Sequence, residues 1–181
     1  MKLRLDRFKH YLLVCLLGLL AGCASSQPGA KEKQESVLQL FLEADFDEGD
    51  RTAVITVCRA TPVAVRIHKT PFLDNSELVE AALVDAIGGF VLQLRFTSHG
   101  ALVLEQATIA HRGGRLVIYA MFPNGRWLAA PMFPTRISDG VLTFTPDATR
   151  EEAERLVRGL NNVAVRLKNK PKPGSTKKQT P

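Results

Sequence analysis

Aromatic residues and cysteines are scarce in this chain. Only 7% of its 181 residues are aromatic, with one Trp and two Tyr, which is too few for a platform that stacks single-stranded nucleic acid. Its three cysteines cannot form a disulfide framework or a cysteine-based zinc cage. Apolar residues make up 45% and charged residues 23%, a balance that excludes wholesale disorder. Composition therefore predicts one globular domain and indicates no particular activity.

The first 23 residues, MKLRLDRFKHYLLVCLLGLLAGC, join four basic residues to a short apolar run. The run covers residues 11–21, whereas a spanning helix needs about 20 apolar residues, so the pattern is typical of a secretory signal. It ends in LAGC at positions 20–23, which resembles the lipobox of bacterial lipoproteins. The resemblance implies that the chain is cleaved before Cys23 and that fatty-acyl chains such as palmitate are attached there. A plain signal peptide or a short signal anchor is the alternative.

The lipobox resemblance assigns residues 1–22 to the signal peptide and the membrane anchor to Cys23, because two or more acyl chains hold a protein stably on a bilayer. Ala24 stands where enterobacterial lipoproteins of the inner membrane carry Asp, which by analogy implies the outer membrane, facing the periplasm. Cys58 would be the remaining thiol in an oxidising compartment. We expect it to be a small buried residue and not a catalytic thiol.

Positive charge is concentrated at the ends of the chain. The net charge of the whole chain is +6, and removing residues 1–22 lowers it to +3. Residues 168–181 contain five Lys and no acid, so residues 37–167 have a net charge of −2. A nucleic-acid-binding fold would have its basic residues on the domain, so no nucleic-acid partner is expected. Residues 23–36 are expected to be the lipidated Cys and a flexible tether, and residues 168–181 a disordered Lys/Pro tail.

Residues 37–167 mix strand patterns with helix patterns, which predicts an α+β domain with a mixed or antiparallel sheet and two or three helices. Helices are predicted over 100–110, capped by Ser98, and over 149–162, where Thr149 and Glu152 form a capping box. Residues 79–87 fit a helix or a strand. Strands are predicted over 37–45, 52–59, 63–68, 90–96, 115–122, 126–129, 141–145 and 163–167, the first two as a hairpin.

The order of these patterns over residues 71–160 resembles the head of the first periplasmic domain of SecD, the accessory subunit of the bacterial protein-export translocase. The most specific stretch is Ala-Pro at 130–131, followed at the family's spacing by Phe133, Ile137 and Gly140. A helix that opens with TREEA at 149–153 then follows. The transmembrane helices and proton-conducting part of SecD have no counterpart here, so the resemblance implies the fold and not proton-driven export. The matched residues are core and turn residues, not an active site.

No pattern in the sequence predicts catalysis or metal binding. The histidines lack helical ligand spacing, neither HExxH nor GxSxG occurs, and the acidic residues at 45–50 lack the Gly and Glu of an EF-hand loop. We therefore expect no enzyme, no cofactor, no metal site and no small-molecule substrate.

One segment, residues 122–136, combines apolar and basic side chains suited to binding protein. Exposed aromatic and methionine residues flanked by arginines would bind apolar segments of an unfolded or extended client, although two or three of them could be core instead. The candidate binding residues are Arg126, Trp127, Met132, Phe133 and Arg136. The leading hypothesis is a lipid-anchored, non-catalytic cell-envelope module that binds protein or peptide and is linked to export. The alternative is a structural envelope lipoprotein that contacts lipid or cell-wall polymer through its basic tail, and an enzyme is the third hypothesis.

Overall fold

The structure is a computed structural model that describes residues 34–122 and 124–170. The predicted signal peptide, Cys23, the predicted tether up to residue 33 and the predicted tail from residue 171 lie outside the described residues. The described part contains two α-helices, α1 (Ser98–Ala110) and α2 (Arg150–Asn169), and nine strands. The strands are β1 (Val37–Leu42), β2 (Thr52–Val57), β3 (Val63–His68), β4 (Leu73–Asp74), β5 (Leu78–Ala86), β6 (Gly89–Phe96), β7 (Leu116–Phe122), β8 (Asn124–Ala129) and β9 (Val141–Phe144). The predicted α+β fold is confirmed.

The strands of the described residues form three antiparallel sheets. The largest has the order β4-β1-β7-β8, the second is the ribbon β2-β3, and the third has the order β5-β6-β9. In the largest sheet Val37 lies opposite Met121, and Leu42 lies opposite Leu116. A six-residue strand is about 17 Å long, so β1 separates two ends of the domain. We call them the Val37 end and the Leu42 end.

Both faces of the largest sheet are buried, because successive residues of a strand point to opposite faces. Leu38 and Leu40 of β1 face the main core, which the two helices and the sheet β5-β6-β9 complete. Phe41 and Val117 face the other way, into a second core that the ribbon β2-β3 covers. This double burial explains why β1 and β7 are nearly continuous apolar runs.

Helix α2 begins at the predicted capping box. The Thr149 hydroxyl accepts a hydrogen bond from the Glu152 N–H at 3.2 Å, and the Glu152 carboxylate accepts one from the Thr149 N–H at 2.8 Å. The prediction of a closing strand over 163–167 is wrong, since α2 continues to Asn169. The physical reason is that the stripe of buried residues extends past Leu160 at helical spacing. Its buried residues are Ala153, Leu156, Gly159, Leu160, Val163 and Ala164.

The predicted hairpin of the first two strands is also wrong. β2 pairs with β3 along its whole length, and β1 takes β4 and β7 as its neighbours. Most of residues 79–87, which fit a helix or a strand, belong to β5 (Leu78–Ala86). Its core-facing residues Ala81 and Leu83 lie opposite Leu94 and Leu92 of β6, so burial against the sheet decides the conformation.

Two local predictions need correction. The cap of α1 is Thr97 and not Ser98, because the Thr97 hydroxyl accepts a hydrogen bond from the Gly100 N–H at 3.1 Å. Cys58 is exposed and not buried, since it lies in the turn between β2 and β3 with a φ of 69°. A non-glycine residue at positive φ is uncommon and belongs to a tight turn, which keeps its side chain at the surface.

Candidate functional site

The five predicted binding residues do not lie in one patch. Trp127 is half-buried in the second core, beneath the ribbon β2-β3. Its ring contacts Phe41 and Tyr119 edge-on, with centroid distances of 5.3 and 5.0 Å. Such aromatic pairs add about 0.5–1.5 kcal/mol beyond burial, so Trp127 stabilises the packing of the ribbon on the sheet.

Arg126, on β8, is held by an acidic side chain of α2. Its Nη1 and Nη2 donate to the two carboxylate oxygens of Glu152 at 3.2 and 2.9 Å. These bonds and the one from the Thr149 N–H lower the pKa of Glu152 to about 2. Nη2 of Arg59 lies 3.7 Å from the same carboxylate. The Arg126 guanidinium therefore joins β8 to the start of α2.

Met132, Phe133 and Arg136 lie together in the loop after β8, at the Leu42 end. We call residues 130–136 the Met132 loop. The Met132 side chain is 57% exposed, and Phe133 is half-buried against the main core. Arg136 is exposed, with its Nη1 3.6 Å from a carboxylate oxygen of Glu105 on α1. The structure thus brings three of the five predicted residues together, two of them accessible.

Hydrogen bonds on both sides fix the Met132 loop to the segment that joins α1 to β7. The Leu116 N–H donates to the Pro131 carbonyl at 3.1 Å, and Phe133 and residues 113–114 exchange two backbone bonds of 2.9 and 3.1 Å. Arg115 Nη1 donates to the Ala130 carbonyl at 3.0 Å, and the Ile137 N–H donates to the buried Thr108 hydroxyl at 3.0 Å. An anchored loop loses little conformational entropy when it binds a partner.

A second exposed apolar residue, Phe46, lies at the same end, and sequence reasoning missed it. Glu43 accepts a hydrogen bond from the Arg115 N–H at 2.9 Å, and Arg115 also forms an isolated antiparallel β-bridge with Met132. Phe46 follows Glu43 by three residues and is 67% exposed. The available signal was an aromatic residue inside an acidic, solvated turn, where burial is not expected.

Three cavities within the described part of the chain adjoin Leu167 near the Val37 end, far from the Met132 loop. Their volumes are about 690, 440 and 360 Å³. The 440 Å³ cavity lies between α2 and the start of β5, with Leu78, Val79 and Val165 in its wall. Within residues 34–122 and 124–170, no group of His, Cys, Asp and Glu is arranged to hold a metal ion. No helix of that same part is long and apolar enough to cross a bilayer.

Comparison with known proteins finds the fold in solved structures. No family model and no curated protein matches the chain. Two structures of SecDF match at 20% identity and a TM-score of 0.52: one of the membrane component SecDF that enhances protein export, and one of SecDF in its super-membrane-facing form. Each match covers 71% of this chain, and the chain spans 63% of the first structure's chain and 19% of the second's. At this identity the likeness shows the α+β fold that the SecD resemblance implied.

Proposed function

We propose that this protein is a lipid-anchored, non-catalytic module of the cell envelope that binds extended segments of other proteins at its Leu42 end. The observation on which the proposal rests is the exposed Met132 side chain on a loop fixed by backbone hydrogen bonds. A rigid scaffold that presents exposed apolar residues is the usual construction of a binding surface.

The position of the Met132 loop suits an anchored protein. If acyl chains on Cys23 hold the protein, the chain enters the described domain through Gln34 and reaches the Val37 end first. The Met132 loop lies beyond the other end of β1, about 17 Å further on. The loop would therefore face the periplasm, where an unfolded or extended client is accessible.

The chemistry of the Leu42 end fits an apolar client segment with polar backbone groups. Met132 and Phe46 offer adaptable apolar contact. The ion pair of Arg136 with Glu105 is solvent-exposed, and such pairs contribute about 0–1 kcal/mol. Arg136 can therefore exchange Glu105 for a carbonyl or carboxylate of the client at low cost. The shared fold with SecDF, which enhances protein export, supports a client that is being exported.

The binding proposal is tested with the double variant Met132→Ala, Phe46→Ala. Because both side chains are exposed, we expect an unchanged melting temperature and a loss of client capture of about tenfold, in crosslinking pull-downs of an unfolded periplasmic protein from intact envelopes. The control is Ile87→Ala, since Ile87 is fully exposed in the turn between β5 and β6. Unchanged capture by the folded double variant would contradict the proposal.

The lipid anchor has its own test. Cys23→Ser removes the thiol that takes the lipid, so acylation and normal processing should both be lost. Mass spectrometry of the mature amino terminus measures this directly. An unmodified Cys23, or a mature chain that starts elsewhere, would refute the lipoprotein assignment.

A second candidate function is a structural envelope lipoprotein that contacts lipid or cell-wall polymer through residues 168–181. The observation that favours it is the exposed Lys168 and Lys170 at the end of α2, next to three further lysines of the sequence. If the double variant captures clients normally while lysine substitutions weaken envelope association, this second function is the better one.

A further inference from the structure

We propose that the Val37 end is a membrane-binding surface that rests on an anionic phospholipid bilayer, so that the anchored domain stands with the carboxyl-terminal end of α2 on the lipid headgroups. The proposal rests on the proposed lipid anchor for the direction from which the chain is tethered. It concerns a different end of the domain from the client-binding Met132 loop.

The segment before β1 is bound to the second half of α2. The Gln34 carbonyl accepts a hydrogen bond from Asn162 Nδ2 at 2.9 Å, and the Glu35 carboxylate pairs with Arg166 Nη1 at 2.7 Å. Ser36 is buried against Gly159, where any Cβ would collide with its side chain. The chain therefore enters the domain along α2, beside the point where α2 ends.

The entry of the chain and the basic end of α2 share one surface. Glu35 and Lys170 line the same 690 Å³ cavity, together with Arg166. The sequence continues from Lys170 with Lys172, Lys177 and Lys178. The acids among the residues that line the three cavities are Glu35, which Arg166 neutralises, and Asp74. The basic residues of the same lining are Arg166, Lys168 and Lys170, so the described residues that line the three cavities have a net charge of +1.

Exposed apolar side chains surround the same point. Val165 on α2 and Val79 on β5 line one cavity and are 55% and 51% exposed. Val37 and Met121 form an exposed cross-strand pair at the same end of the largest sheet, on the face turned away from α2. Exposed apolar residues within a basic surface are the signature of proteins that lie on an anionic bilayer.

The length of the tether allows this contact. Ten residues separate Gln34 from Cys23, and a polar chain of that length has a root-mean-square extension of about 17 Å. On average the Val37 end therefore lies within that distance of the anchor, close enough to contact the bilayer. Residues 37–167 carry a net charge of −2, so the rest of the domain is repelled by the bilayer that attracts its basic end.

The test uses the mature acylated protein in vesicles of phosphatidylcholine, with or without about 30% phosphatidylglycerol, and a photoactivatable lipid headgroup. Mass spectrometry maps the crosslinked peptides. We expect crosslinks within residues 163–181, about tenfold more frequent with phosphatidylglycerol, and none in the Met132 loop. Each lysine near an anionic membrane changes partitioning about fivefold, so the variant Lys168→Gln, Lys170→Gln should lose about tenfold or more.

Val165→Asp should also reduce crosslinking, whereas Ile87→Asp, at a fully exposed apolar position in the turn between β5 and β6, should not. Crosslinks spread evenly over the domain, or equally frequent in neutral vesicles, would overturn the proposal. So would a lysine variant that keeps its crosslinks and instead loses binding to isolated cell-wall sacculi, because the partner would then be the polymer.

The outcome can be separated from the fate of the proposed function. The variant Met132→Ala, Phe46→Ala should crosslink to lipid normally even if it loses its client. If Cys23 is not acylated, the same protein is sedimented with both kinds of vesicle. Pelleting that depends on phosphatidylglycerol and on Lys168 and Lys170 then supports the membrane-binding surface. If the protein does not pellet in this way, the proposal is overturned.

Discussion

The capping carboxylate of α2 is the acidic side chain whose loss should cost the most stability among those described. Glu152 accepts two hydrogen bonds from Arg126 and one from the Thr149 N–H, and it lies near Arg59. Glu152→Gln keeps the shape but removes the charge and turns an amide N–H₂ toward one of the donors. Hydrogen bonds to charged groups contribute about 1.5–3 kcal/mol, and partial exposure reduces the net, so we expect a loss of about 2 kcal/mol.

The loss should depend on pH in a defined direction. Folding lowers the pKa of Glu152 from its ordinary value of 4.5 to about 2. A carboxyl group with a lowered folded-state pKa stabilises the protein above its unfolded pKa, and that contribution disappears as the pH falls from 4.5 toward 2. The free energies of unfolding of the wild type and the Glu152→Gln variant should therefore differ fully at neutral pH and converge in acid.

Urea unfolding between about pH 7 and pH 3 measures this convergence, and thermal unfolding at neutral pH should show a decrease of about 6–10 °C. The control is Glu154→Gln, on the same helix, because Glu154 is exposed and has no ion-pair partner among the described residues. The reasoning is refuted if both variants unfold alike, or if the deficit of Glu152→Gln stays constant down to pH 3.

Two further substitutions test the packing of α2. Leu156→Ala should lower the free energy of unfolding, measured in urea, by about 2–5 kcal/mol because Leu156 is buried in the main core. Arg150→Ala should lower it by less than about 1 kcal/mol because the ion pair of Arg150 with Asp85 is exposed. Similar losses in the two variants would mean that the assigned faces of α2 are wrong. Gly159→Ala should lower the free energy of unfolding by about 1–3 kcal/mol in the same assay because the added Cβ collides with Ser36. The double variant Gly159→Ala, Ser36→Gly should recover most of the lost stability, and no recovery would mean that the strain arises at another contact.

Features set by neighbouring residues could be predicted from the sequence. The start of α2 follows from Thr149 and Glu152, three residues apart, which bond to each other's backbone. The hairpin of β7 and β8 follows from the two strand patterns over 115–122 and 126–129, which only three residues separate. Each of these involves groups no more than eleven residues apart, so a short stretch of sequence contains the whole interaction.

Features set by distant residues could not be predicted. β1 pairs with β7, about 80 positions along the chain, and no local pattern distinguishes that partner from the nearer β2. Residues 163–167 have the β-branched composition of a strand, but their burial beside Leu160 keeps them helical. Trp127 looked like part of an exposed patch because its position beneath the ribbon depends on β2 and β3, more than 50 residues away.

The two proposed surfaces should act independently, because β1 separates them. Its length of about 17 Å is twice the screening length of about 8 Å at physiological ionic strength, so the lysines near the Val37 end exert little force on a client at the Met132 loop. Substitutions at well-separated sites without shared partners usually have additive free energies. We therefore expect no new effect when Lys168→Gln and Lys170→Gln are combined with Met132→Ala and Phe46→Ala. The combined variant should show the loss of lipid crosslinking of the lysine variant and the loss of client capture of the other variant. If a lysine variant weakens client capture by the membrane-bound protein, orientation on the bilayer controls access to the loop. Binding at the two ends would then be coupled.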